Sequence, residues 1–122
     1  MDAIVSVSTD DSDQLRSLSS WLEPEPELRG RVGAVERDPA PGTLGPVTEA
    51  LQIALGSGGA VAALSGVVVA WLGSRPGDVT VKLVRGEDQI EVSAGRVRSL
   101  DAGKLVDLTA EIAKVLEDPD DR

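Results

Sequence analysis

The sequence has no histidine, cysteine, tyrosine or phenylalanine, and its only aromatic residues are two tryptophans. General acid–base catalysis at neutral pH draws most often on histidine, and thiol nucleophiles and structural zinc sites need cysteine or histidine. Serine and threonine hydroxyls are plentiful. A base for them would have to be Lys82, Lys104, Lys114 or a carboxylate, and none of these sits in a recognisable nucleophile motif. The chain therefore reads as non-enzymatic, with no catalytic residue, metal ligand or cofactor site. The lack of cysteine also removes a disulfide framework. The start, Met1-Asp2-Ala3-Ile4-Val5, lacks the positive region and apolar core of a signal peptide, so cytoplasmic synthesis is expected.

Positive charge is scarce as well. Twelve basic against 21 acidic side chains leave a net charge of -9, which argues against nucleic acid and against a basic patch for anionic lipid. Any membrane contact would have to be apolar. At 122 residues the chain is sized for one domain, 1–122.

Residues 3–8, Ala-Ile-Val-Ser-Val-Ser, suit a first strand. Thr9-Asp10-Asp11-Ser12-Asp13 offers caps for a helix with Leu15, Leu18, Trp21 and Leu22 at helical spacing. The same aspartates resemble a calcium loop, but the turn glycine and the twelfth-position glutamate are missing, so capping is the better reading. Pro24 and Pro26 stop the helix. Residues 28–36 read as a second strand, with Leu28, Gly30, Val32 and Ala34 on one face. Asp38-Pro39-Ala40-Pro41-Gly42 reads as a rigid loop, and Pro46 suits a first helical turn. Residues 78–84 and 89–93 form a hairpin around Arg85-Gly86-Glu87-Asp88. Asp101 caps a last helix with an apolar stripe of Leu105, Leu108, Ile112, Val115 and Leu116. Residues 117–121 read as a solvated acidic end, with a docking tail as the alternative. The expected fold is α+β: a four-stranded sheet with two amphipathic helices on one face, and a long apolar helix, 44–75, inserted between strands two and three.

That insertion carries the most uncommon feature, the 25 uncharged residues from Ala50 to Ser74. A membrane span needs about 20 predominantly apolar residues. Here 14 of the 25 are alanine, glycine or serine, so the segment inserts poorly by itself. Small residues recur at every fourth position, Ala50, Ala54, Gly58, Ala62, Gly66, Ala70 and Ser74, a row that lets helix backbones approach closely in lipid or in water. On the membrane reading, Leu51, Leu55, Val61, Leu64, Val67, Val68, Trp71 and Leu72 would meet lipid. Trp71 reads either as an interfacial anchor or as core. Glu49 at the helix mouth would form a charge ring in a pore, or serve as a first-turn glutamate favoured by the helix dipole. A straight span would divide the sheet between the two sides of the membrane. A break at Gly56-Ser57-Gly58-Gly59, self-packing of one long helix, or sheathing by another protein would avoid that. The flanking Arg31, Arg37, Arg75, Lys82 and Arg85 are too evenly split to set an orientation.

The strand Ile4-Val5-Ser6-Val7, the helix ending near Trp21-Leu22, the Gly/Ala/Val-rich segment from Leu51 to Trp71 and the hairpin-helix ending together resemble the effector-associated constant component family of bacterial, mainly actinobacterial, conflict systems. The resemblance covers nearly the whole chain. It implies a small non-catalytic subunit, encoded beside variable effectors that are often peptidases, in antiphage defence, with a partner as its trigger. Cleavage around Arg37-Asp38-Pro39 would then free the apolar helix. The expected function is a self-associating, pore-forming immune component whose helix enters the inner membrane on activation. The alternative is a soluble oligomeric adaptor that recruits an effector, with the same helix buried between subunits. The expected partners are copies of itself, an effector or peptidase, and the membrane.

Overall fold

Apolar side chains at every second position select the strands. In the computed structural model, which describes residues 2–7, 12–37, 47–56 and 58–117, five strands join in one sheet: β1 (Asp2–Val7), β2 (Val32–Arg37), β3 (Val47–Ala54), β4 (Thr80–Arg85) and β5 (Asp88–Ser93). Their order is β2-β3-β1-β4-β5, and every neighbouring pair is antiparallel. Ala3, Val5, Leu51, Ile53, Val81, Leu83 and Val92 are buried, whereas the alternate residues Ile4, Gln52, Lys82 and Glu91 keep part or all of their exposure. This is the period-two pattern of a sheet packed on one face.

Four helices complete the chain: α1 (Ser12–Leu22), α2 (Gly58–Ser74), α3 (Ala94–Ser99) and α4 (Ala102–Leu116). One core joins the buried sheet face to Leu15, Leu18 and Leu22 of α1, to Leu64, Val68, Trp71 and Leu72 of α2, to Val97 of α3 and to Leu108, Ile112 and Leu116 of α4. α2 packs against α1, α3, α4 and β4. Its buried Ser65 hydroxyl donates to the Val61 carbonyl at 2.8 Å, so the one polar side chain on that inward face is satisfied within the helix.

The α+β class stands, but the sheet has five strands where four were expected. The added strand, β3, takes in the first five residues of the uncharged run, Ala50 to Ala54. Leu51, Ile53 and Leu55 recur at every second position and are buried, with exposed Gln52 between the first two. The expected 44–75 helix is therefore replaced by a strand, a break and a shorter helix, with residues 44–46 and Ser57 outside the described residues. α2 has 17 residues, about 25 Å at 1.5 Å per residue. Among the described residues no helix is long and apolar enough to cross a membrane.

Smaller differences have local causes. Residues 23–31 are not strand. Glu25 N–H donates to Leu22 O, Leu28 N–H to Glu25 O and Arg31 N–H to Leu28 O, a chain of tight turns that buries Leu28 before β2 begins at Val32. α3 was not expected; the Ser93 hydroxyl starts it by accepting from Arg96 N–H at 3.1 Å. The β4–β5 hairpin and the Asp101 cap match expectation. Arg85 pairs with Asp88 across a two-residue turn in which Gly86 has φ +64°, and the Asp101 carboxylate accepts from Lys104 N–H at 2.9 Å. The Thr9–Asp11 caps, the 38–42 loop, Pro46, the 118–121 end, and Asp38 and Pro39 of the cleavage site lie outside the described residues.

Candidate docking surface

The row of small residues is divided by the fold. Ala50 and Ala54 belong to β3 and so leave the helical row, which begins at Gly58, the first residue of α2. Ala62, Gly66, Ala70 and Ser74 do share a face of α2. It points outward: Ala62, Ala70 and Ser74 are exposed and Gly66 is half-buried. The side chains expected to meet lipid lie elsewhere. Leu51, Leu55, Val61, Leu64, Val68, Trp71 and Leu72 are buried in the core, and Val67 is half-buried. Glu49 lies in β3 and not at the mouth of a helix.

Trp71 is core and not an interfacial anchor. It is fully buried, its indole N–H donates to the Ser17 hydroxyl at 3.1 Å, and the Arg75 guanidinium carbon lies 5.1 Å from its ring centroid. Arg75 Nη1 donates to the same hydroxyl at 3.2 Å. Ser17 thereby ties α1 to the last turn of α2.

The outward ridge of α2 runs between two shallow grooves. On one side Ala62 joins Leu105, Val106, Thr109, Ala110 and Ala113 of α4 around about 430 Å³ of open space. On the other, Ala62, Ala63, Gly66, Val67 and Ala70 face Trp21 and Glu25 around about 360 Å³. These volumes fall within the range of small-molecule clefts, but both grooves lie open along a helix and do not enclose a cavity. Their shape suits a segment laid along the surface. Trp21 and Val106 stand on opposite sides with 40% and 69% of their surface exposed, large apolar side chains left outside the core.

Gly66 lies on this ridge in mid-helix. A methyl group built on it would meet nothing within 4 Å, and its φ is not positive. Neither crowding nor backbone conformation requires glycine there. Glycine costs a helix about 1 kcal/mol relative to alanine, so the fold carries a small loss with no internal return.

Charge gathers at one margin. Glu25 lines the Trp21 groove, and the Glu27 carboxylate would lie 2.8 Å from a methyl group added at Gly59, so it sits against the first turn of α2, where the helix dipole favours an anion. Glu23 beside them is exposed. Across the ridge, exposed Lys104 and Lys114 of α4 stand on either side of Asp107 and Glu111 in the chain, and Glu111 lies 3.7 Å from Arg96. The α4 margin is nearly balanced; the Trp21 margin carries Glu23, Glu25 and Glu27, with exposed Arg29 and Arg31 following them in the chain and Arg75 over Trp71 at the far end of α2.

Ala62, Gly66 and Ala70 were visible in the sequence as a packing row, but Trp21, Glu25 and Val106 were not visible as their companions. Trp21 falls in register with Leu15, Leu18 and Leu22 and looks like core. Val106 had a signal that could be read: it is the apolar residue of α4 that falls off the stripe of Leu105, Leu108 and Ile112.

Among known proteins, the family model described as Effector Associated Constant Component 1 matches residues 7–113. No curated protein and no solved structure matches the chain.

Proposed function

Given that the chain belongs to the Effector Associated Constant Component 1 family, we propose that it is a non-enzymatic adaptor of a bacterial conflict system that holds an effector on the outward face of α2. The family description supplies the association with an effector, and the ridge between the two grooves supplies a place for it. The observation that carries the reading is Gly66: a glycine kept in mid-helix with open space above it serves a neighbour that approaches the backbone closely.

Membrane entry by α2 is the weaker reading. Leu64, Val68, Trp71 and Leu72 are fully buried, and at roughly 2 kcal/mol each their withdrawal from the core involves about 8 kcal/mol, comparable with the whole stability of a small domain. Lipid would re-cover α2 but not the sheet face it leaves.

The test is binding between the full chain and the recombinant effector encoded beside it, measured by calorimetry. Wild type is expected to bind. Gly66→Leu is expected to weaken binding by at least about tenfold while circular dichroism holds and the thermal midpoint does not fall. Equal binding by the two chains would remove the ridge from the interface and the reading with it.

A further inference from the structure

We infer, resting on the adaptor reading above, that the segment occupying this face is an amphipathic helix of the effector protein, with lysine or arginine along the flank that meets Glu23, Glu25 and Glu27. Three observations support this. The floor is helical and long, 17 residues, and its outer row is small, so a second helix can lie along it with side chains at i, i+3, i+4 and i+7 dropping to either side. The α4 groove is lined by Leu105, Val106, Ala110 and Ala113, with Thr109 as its polar contribution, which calls for an apolar face. Among the described residues, Glu25 is the one charged side chain lining either groove. With Glu23 exposed beside it and Glu27 at the head of α2, that margin calls for positive charge.

The same charges weigh against two other occupants. A second copy would bring a net charge of -9 against -9, and an anionic bilayer would be repelled by the acidic margin. The balanced α4 margin, which carries Lys104, Asp107, Glu111 and Lys114, offsets neither.

The probe is a synthetic amphipathic helix of about 18 residues, five turns, with a leucine–alanine face and lysine flanks. The control carries glutamate at the lysine positions. Each is titrated into the isotope-labelled full chain. The lysine peptide is expected to shift the amides of Ala62, Gly66, Ala70 and Ala110 and the indole of Trp21, and to leave those of β1 and β4 in place. Glu23→Gln combined with Glu25→Gln should weaken it by about tenfold, as should a rise from 0.05 to about 0.5 M salt, through loss of screened attraction. Gly66→Ala, which folds without hindrance, should also weaken it. Equal binding by the two peptides, shifts centred away from α2, or dimerisation of the chain that Gly66→Leu abolishes would each overturn the inference. An effector that binds wild type but not Gly66→Leu, while the lysine peptide does not bind, overturns this inference and leaves the adaptor reading standing. An effector indifferent to Gly66→Leu overturns the adaptor reading itself.

Discussion

Arg85 is buried at the end of β4, and its guanidinium holds together two elements that the sheet does not connect. Nη1 donates to the carbonyl of Leu116 at the end of α4, and Nη2 donates at 3.2 Å to that of Leu55, between β3 and α2. The first is one of the carbonyls a helix leaves without an internal partner, and a cation there also suits the dipole. Arg85→Met keeps much of the volume but strands both carbonyls, so it should lower stability by about 3 kcal/mol, measured by urea unfolding. Gly66→Ala should act in the opposite direction, raising stability by about 1 kcal/mol in the same assay while weakening the effector complex. If Gly66→Ala destabilised the free chain, the glycine would have a structural purpose and the docking argument would lose its basis. Neither role can be found by inspecting the sequence. Arg85 reads as a hairpin residue, because its partners lie about 30 positions away in either direction, and Gly66 reads as one more small residue in a row of seven.

Among the elements, those with a local signal were legible and those whose signal was masked were not. β4, β5 and α4 have clear periodicity and chemically specific ends, and the sequence places all three to within about two residues. The Asp101 cap can be tested directly: Asp101→Ala should lower the unfolding free energy by about 1 kcal/mol and weaken amide exchange protection in the first turn of α4. β3 and α2 were merged because the lack of charge across Ala50 to Ser74 hid a change of period. Leu51, Ile53 and Leu55 alternate, whereas Leu64, Val68, Trp71 and Leu72 follow a helix, and Gly56 lies where one gives way to the other. The two glycines flanking this break lie under the ends of exposed, flexible side chains, which would have to move aside for a larger residue. A methyl group on Gly56 would come within 2.9 Å of the Arg31 guanidinium, and one on Gly59 within 2.8 Å of the Glu27 carboxylate. α3 was missed because six residues are too few to show a period.

The whole molecule converts an apolar helix into a core helix by burying most of its large side chains and leaving a row of its small ones outside. Apparent membrane activity should therefore depend on unfolding: dye release from liposomes is expected only under conditions that also abolish the near-ultraviolet signal of Trp71. Release by the native chain would contradict the packing described for α2. The position of β1 has a further consequence. The earliest of the five strands lies in the middle of the sheet, between β3, which follows some 40 residues later, and β4, which begins at Thr80. A nascent chain that has just released α2 from the ribosome has no β4 to complete the layer beneath it, so the most apolar helix emerges before β4, α3 and α4, against which it packs. Ribosome-arrested chains with only residues up to about 78 outside the exit tunnel should be cut readily by protease and held by chaperones, and those with Leu116 outside should resist. A fragment ending in that interval would stick to lipid for want of its remaining strands, whatever the finished protein does.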